Sequence, residues 1–199
     1  MGDNEGGELL QMTITIDVSN ETDLRNKIFQ LSDDFATHGV AADNYVVNID
    51  ANITLTQSLP MIRGDGVHTI TINGLGHTID ANGTGRVFFV ESGKVTIDNI
   101  RVDNALAQGG NGGGSNAEFG SGGGGGLGAG AALFVNSGAT VTLTAVQFSD
   151  AAARGGDGGI ETNTIGGAGG GGGGGLGGDG GLASGRRIGW RLQRHRRPG

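Results

Sequence analysis

The chain has 199 residues, with 45 glycines, 2 prolines, no cysteine and a formal net charge of −7. Without thiols it can build neither a disulfide framework nor a thiolate metal site, a composition compatible with export through an oxidising compartment. No apolar run reaches the roughly 18 to 20 residues of a spanning helix, and MGDNEGGELLQ lacks the basic start and apolar stretch of a secretory signal, so no export address is visible in this chain.

Met12 to Val18 alternates with a period of two and predicts a strand. In the following SNETDLRNKIFQLSDDF, Ser19 or Asn20 can cap, Glu21 and Asp23 suit the positive helix end, and Leu24, Ile28 and Leu31 recur at helical spacing. This predicts one amphipathic helix of about three turns, placed to cap an apolar end. From Tyr45 onward the reading is strand and turn. Strands are expected at Tyr45 to Ile49, Ile53 to Thr56, Thr69 to Ile72, His77 to Ile79, Val87 to Val90, Val95 to Ile97, Ile100 to Val102, Leu133 to Val135, Val141 to Leu143 and Val146 to Phe148. The links NGLG, ANGTG, ESG, DN and NSG suit tight turns, with Asn99 fitted to a left-handed bend. Two tracts, Gly109 to Gly130 and Gly155 to Gly181, hold most of the glycine excess and read as long flexible surface loops. The acidic residues end at Asp179. Arg186, Arg187, Arg191, Arg194, Arg196 and Arg197 then crowd the tail, leaving 7 basic against 20 acidic residues in the body. The arginine run does not continue the preceding pattern, and nucleic-acid binding is not expected from it.

Val87 to Gly113 and Ala132 to Gly159 are copies of one another once a single residue is inserted after the SG turn. Phe89 matches Phe134, Val90 matches Val135, Val95 matches Val141, Ile97 matches Leu143, Ile100 matches Val146 and Val102 matches Phe148. Repeated apolar positions with drifting polar ones predict stacked layers that bury their apolar faces against each other. The expected fold is all-β, a right-handed single-stranded parallel β-helix of the pectin-lyase-like solenoid type, with an N-terminal amphipathic capping helix and long glycine-rich loops. Residues 1–44 would be strand and cap, 45–154 the rungs with an inserted loop at 109–130, 155–185 a glycine-rich tract and 186–199 an aberrant or disordered tail.

The segments ITLTQSLPMI, HTITINGLGHTIDANG, VFFVESGKVTIDNIRV and GGGGLGAGAALFVNSGATVTLTAVQFSDAAARGGDGG resemble the passenger region of bacterial autotransporters, including the polymorphic outer-membrane type. GAALFV and FSDA are imperfect versions of that type's GGA(I/L/V) and FxxN repeats, and the second lacks its final Asn. The resemblance implies display at the cell surface or outer membrane, or secretion, with membrane attachment through a C-terminal barrel that this chain does not contain. It implies an adhesin-like structural or interaction protein whose partners are host or environmental surface polymers, or a second copy met through an open edge.

An alternative is a polysaccharide lyase or hydrolase, which needs clustered carboxylates beside a basic residue or bound calcium. The candidates are Asp98 with Arg101 and Asp103, and Asp33 with Asp34. Because the second copy carries Thr144, Gln147 and Ser149 at the first set's positions, solvated strand polar groups are the favoured account. His38, His68 and His77 lack the spacing of a triad or metal site. GGNGG and GGDGG do not supply the offsets of calcium-binding nonapeptides. The T-x-T pairs at Thr13, Thr54, Thr69 and Thr140 suggest an ice-binding array but are irregularly spaced. The sequence thus assigns no catalytic, cofactor-binding or metal-binding residue.

Overall fold

The computed structural model describes residues 12–37, 43–114, 122–160, 174 and 179–181. Strand β1 (Met12–Val18) follows the alternation of MTITIDV. Asn20 then caps α1 (Glu21–Thr37), accepting from the Asp23 N–H at 2.9 Å while its Nδ2 donates to the Asp23 carboxylate at 2.7 Å. Leu24, Ile28, Leu31 and Phe35 form the buried stripe of the helix, and Phe35 meets Tyr45 edge to face at 5.5 Å. Strand β2 (Asp43–Ile49) pairs in parallel with β1, Val18 opposite Ile49. The helix is therefore the crossover between two parallel neighbours as well as a cover, and its 17 residues exceed the expected length.

The remaining strands are short: β3 (Ile53–Thr54), β4 (Ile62–Arg63), β5 (Thr69–Asn73), β6 (Thr78–Asp80), β8 (Arg101–Asp103), β9 (Leu106–Gln108), β11 (Gln147–Ser149) and β12 (Ala152–Arg154). Two are long, β7 (Phe88–Asp98) and β10 (Leu133–Thr144). Each long strand joins two segments expected to be separated by a turn. At Gly93 the backbone takes φ 90° but does not reverse, and a Cβ there would lie 2.5 Å from the Gly64 Cα.

The expected single-stranded β-helical solenoid requires correction. The described residues form three parallel sheets of six, four and two strands plus one helix. The six-stranded sheet runs β1-β2-β5-β7-β10 with β4 also on β7, the four-stranded sheet β11-β8-β6-β3, and the third pairs β12 with β9. The physical causes of the unequal sheets are local. Helix α1 occupies the connection between β1 and β2, and β4 and β5 lie in tandem along β7, taking Val90 to Ser92 and Lys94 to Asp98 respectively.

The two sequence copies do lie side by side. Phe89 pairs with Phe134, Val95 with Val141, Ile97 with Leu143 and Val102 with Phe148, all in parallel register. The inserted residue is absorbed as a bulge between Val135 and Gly138, a few residues earlier than the alignment places it. Ile72, Ile79, Ile97, Val102 and Phe88 are wholly buried in one core, each such side chain contributing about 1.5–3 kcal/mol. Asn99 turns its corner at φ 49° as expected, with Leu75 and Ala145 at the equivalent bends of neighbouring strands.

By contact, the described residues within Met1–Gln108 and Ala129–Arg154 form one compact unit and those within Gly109–Gly128 and Gly155–Gly199 another. The second unit departs from the flexible-loop expectation. Its described segments 109–114, 122–128 and 155–160 hydrogen-bond in a cycle: Gly123 and Gly126 donate to Gly113 and Gly110, Gly156 and Gly159 donate to Gly126 and Gly123, and Gly112 donates to Asp157. The step of three residues is that of an extended three-per-turn helix of the polyproline II type. A Cβ on Gly112, Gly125, Gly156 or Gly159 would sit 1.9 to 2.0 Å from a neighbouring carbonyl oxygen, so glycine is what lets the backbones approach.

Candidate functional site

Strand β8 places Arg101 and Asp103 on the same outward side of the four-stranded sheet, because residues two apart share a face. The guanidinium Nε of Arg101 lies 2.7 Å from both Asp103 oxygens, and its Nη2 donates to Ser149 at 3.2 Å. Ser149 in turn donates to Asp103. The bonds from Arg101 and Ser149 hold the Asp103 carboxyl below its ordinary value, and the Asp103 partner raises Arg101. A carboxylate held ionised from two sides has no proton to give near neutrality, which suits a structural pair better than a general acid.

Of the sequence-nominated acids, Asp98 is not part of this cluster. It sits on β7 in the six-stranded sheet, opposite Asn73 and Thr144. Register also puts Gln147 and Ser149 opposite Arg101 and Asp103, so the charged pair has no copy above it. Asp33 and Asp34 lie on α1. His68 is buried and its Nδ1 is 2.6 Å from Asp65. Burial raises the Asp65 carboxyl, but bonds from the His68 ring and from the backbone N–H groups of His68 and Val67 outweigh it and leave the value lowered. His77 lies next to β6, and His38 and the arginine-rich tail fall outside the described residues. Among the described residues no group of three His, Cys, Asp or Glu side chains is placed to hold a metal ion, and no helix is long and apolar enough to cross a membrane.

Three further features emerge, of which the groove was not nominated from sequence and the other two sharpen the threonine pairs and the open edge raised there. First, an open groove of about 480 Å³ runs along the corner between the four-stranded and two-stranded sheets. Asn82, Asn104 and Asp150 stand on it at φ 51°, 52° and 51°, left-handed bends that Asn and Asp adopt more readily than other residues with side chains. Second, register aligns threonines that look irregular in sequence. Thr71, Thr96 and Thr142 are adjacent on β5, β7 and β10, with Thr69, Lys94 and Thr140 in the next row. Third, β10, β11 and β12 each end their sheet.

No family model, curated protein or solved structure matches the chain. The functional reading therefore rests on the chain's own geometry. The third feature is quantitative: Val135, Leu143 and Phe148 are 42%, 44% and 42% exposed, whereas their register partners Val90, Ile97 and Val102 are each 0% exposed. Phe134 stacks on Phe89 at 4.9 Å with rings 1° from parallel, and Arg86 lies 6.0 Å from both centroids while donating to the Ala129 carbonyl.

Proposed function

We propose that this protein is an adhesin-like interaction protein, displayed at the cell surface or secreted as its resemblance to autotransporter passengers implies, and not an enzyme. The observation that carries the reading is the exposure of Val135, Leu143 and Phe148 beside fully buried counterparts. Among the described residues β10, β11 and β12 have a strand neighbour on one side only, and such an edge flanked by apolar side chains is a template for another extended chain. Its partners would be surface polymers or a second copy joined through this edge. The test is retention of the purified protein on immobilised matrix polymers and its mass in solution, with Leu143→Lys placing a charge at the edge. The reading expects retention or self-association that the variant loses; equal behaviour of both proteins contradicts it.

The threonine register favours a second reading, an ice-binding face. Thr15, Val46, Thr71, Thr96 and Thr142 form one row across five parallel strands, spaced about 4.8 Å apart. This reading expects thermal hysteresis that Thr96→Tyr abolishes, and its absence in the unmodified protein removes it.

A further inference from the structure

We propose that the corner groove binds a glycan chain, an inference that rests on the interaction reading and names its ligand class. Arg101, Asp103 and Ser149 bond one another, Arg63 pairs with Glu91, His68 with Asp65, and Glu21 with Thr56. The groove differs. Among the described residues the side chains of Asn82, Asp150 and Arg154 make no hydrogen bond, and Asn104 uses only its Nδ2, donating to Asp80 at 2.9 Å.

The groove thus presents a carboxylate that can accept from two neighbouring hydroxyls, a guanidinium that can donate to two, and amides that do both. Adjacent ring hydroxyls of a sugar offer the same mixture of donors and acceptors. Ala105 is buried beneath, with Leu106 and Ala152 beside it, giving an apolar floor for the C–H face of a pyranose. Asn104 and Asp150 occupy equivalent bends on adjacent parallel strands, which lie about 4.8 Å apart, near the advance of one sugar along an extended chain. Successive sugars can therefore meet successive strands. The opposite charges of Asp150 and Arg154 do not select a peptide of one charge sign, and a single carboxylate supplies too little negative charge for a divalent cation.

The experiment titrates the full chain with cellotetraose, chitotetraose and mannotetraose as neutral probes and with tetragalacturonate as the acidic one, using ligand-observed NMR and calorimetry. Saturable binding of at least one probe is expected, weakened about tenfold or more by Asp150→Ala and by Arg154→Ala, both exposed positions, and unchanged by Asn26→Ala on α1. Loss through Arg154→Ala confined to tetragalacturonate would assign the acidic class, and loss through both variants with a neutral probe the neutral class. Binding that survives both groove substitutions, or no binding by any probe, overturns the inference. If the protein still adheres to matrix polymers through the Leu143 edge in that case, the interaction reading stands and only the groove assignment falls.

Discussion

Gly156→Ala should loosen the glycine-rich unit, whereas Gly158→Ala, two residues away, should not. At Gly156 an added Cβ would lie 1.9 Å from the Gly110 carbonyl oxygen and 2.4 Å from its carbon, while at Gly158 the nearest atom is 3.8 Å away. Ordinary contact needs about 3.5 Å, so the segments must part by more than an ångström at Gly156. That separation strains the bonds from Gly156 to Gly126 and from Gly112 to Asp157, at 2.9 and 2.7 Å. Losing two such bonds costs about 1–3 kcal/mol, against a gain of about 0.4–1 kcal/mol from the stiffer unfolded chain. The net expectation is about 1–2 kcal/mol of destabilisation confined to this unit, or roughly five- to thirtyfold faster amide exchange across 109–114, 122–128 and 155–160. Gly158→Ala should leave exchange unchanged or slower. Hydrogen exchange read by mass spectrometry checks this, and equal effects of the two substitutions would show that the tracts are the plain loops their composition suggests.

Ala145 holds φ 49° without the local hydrogen-bonding side chain of its neighbour Asn99, so Ala145→Asn should stabilise by about 0.5–1 kcal/mol in chemical denaturation. Ile97→Ala opens a cavity at a fully buried position and should cost about 2–5 kcal/mol by the same assay. Asp65 and Asp103 are both held below the ordinary carboxylate value. Their contribution to stability is therefore complete above about pH 4 and is lost as pH falls through their lower folded-state values. Thermal midpoints measured from pH 7 down to 2 should fall on the acid side, and Asp65→Asn should flatten that fall.

The elements that announced themselves were those whose side chains carry a period. The alternation of MTITIDV, the Leu24, Ile28 and Leu31 stripe and the paired copies around Phe89 and Phe134 all reappear as a strand, a helix and neighbouring strands in register. Strands β4, β9 and β12 were missed because β4 has two residues and β9 and β12 carry alanine where the equally short β6, β8 and β11 carry Ile, Val and Phe. The SG segments read as turns because glycine permits a reversal, yet at Gly93 its missing Cβ admits Gly64 instead. The glycine-rich unit left little sequence signal beyond composition, since most of its described contacts are made by backbone, with the Asn111 and Asp179 side chains accepting from the Asp157 and Asn111 N–H groups. The corner groove and the threonine rows depend on which strands become neighbours. Asn82, Asn104 and Asp150 are far apart along the chain, and only the bends bring them to one line.

The most direct test of the interaction reading is to incubate the purified protein with immobilised matrix polymers and acidic polysaccharides and to measure both retention and released sugar ends. The account predicts that protein is retained, that Leu143→Lys lowers retention on the matrix polymers, and that no reducing or unsaturated ends appear. Release of such ends by the unmodified protein, eliminated by Asp103→Asn, would contradict it.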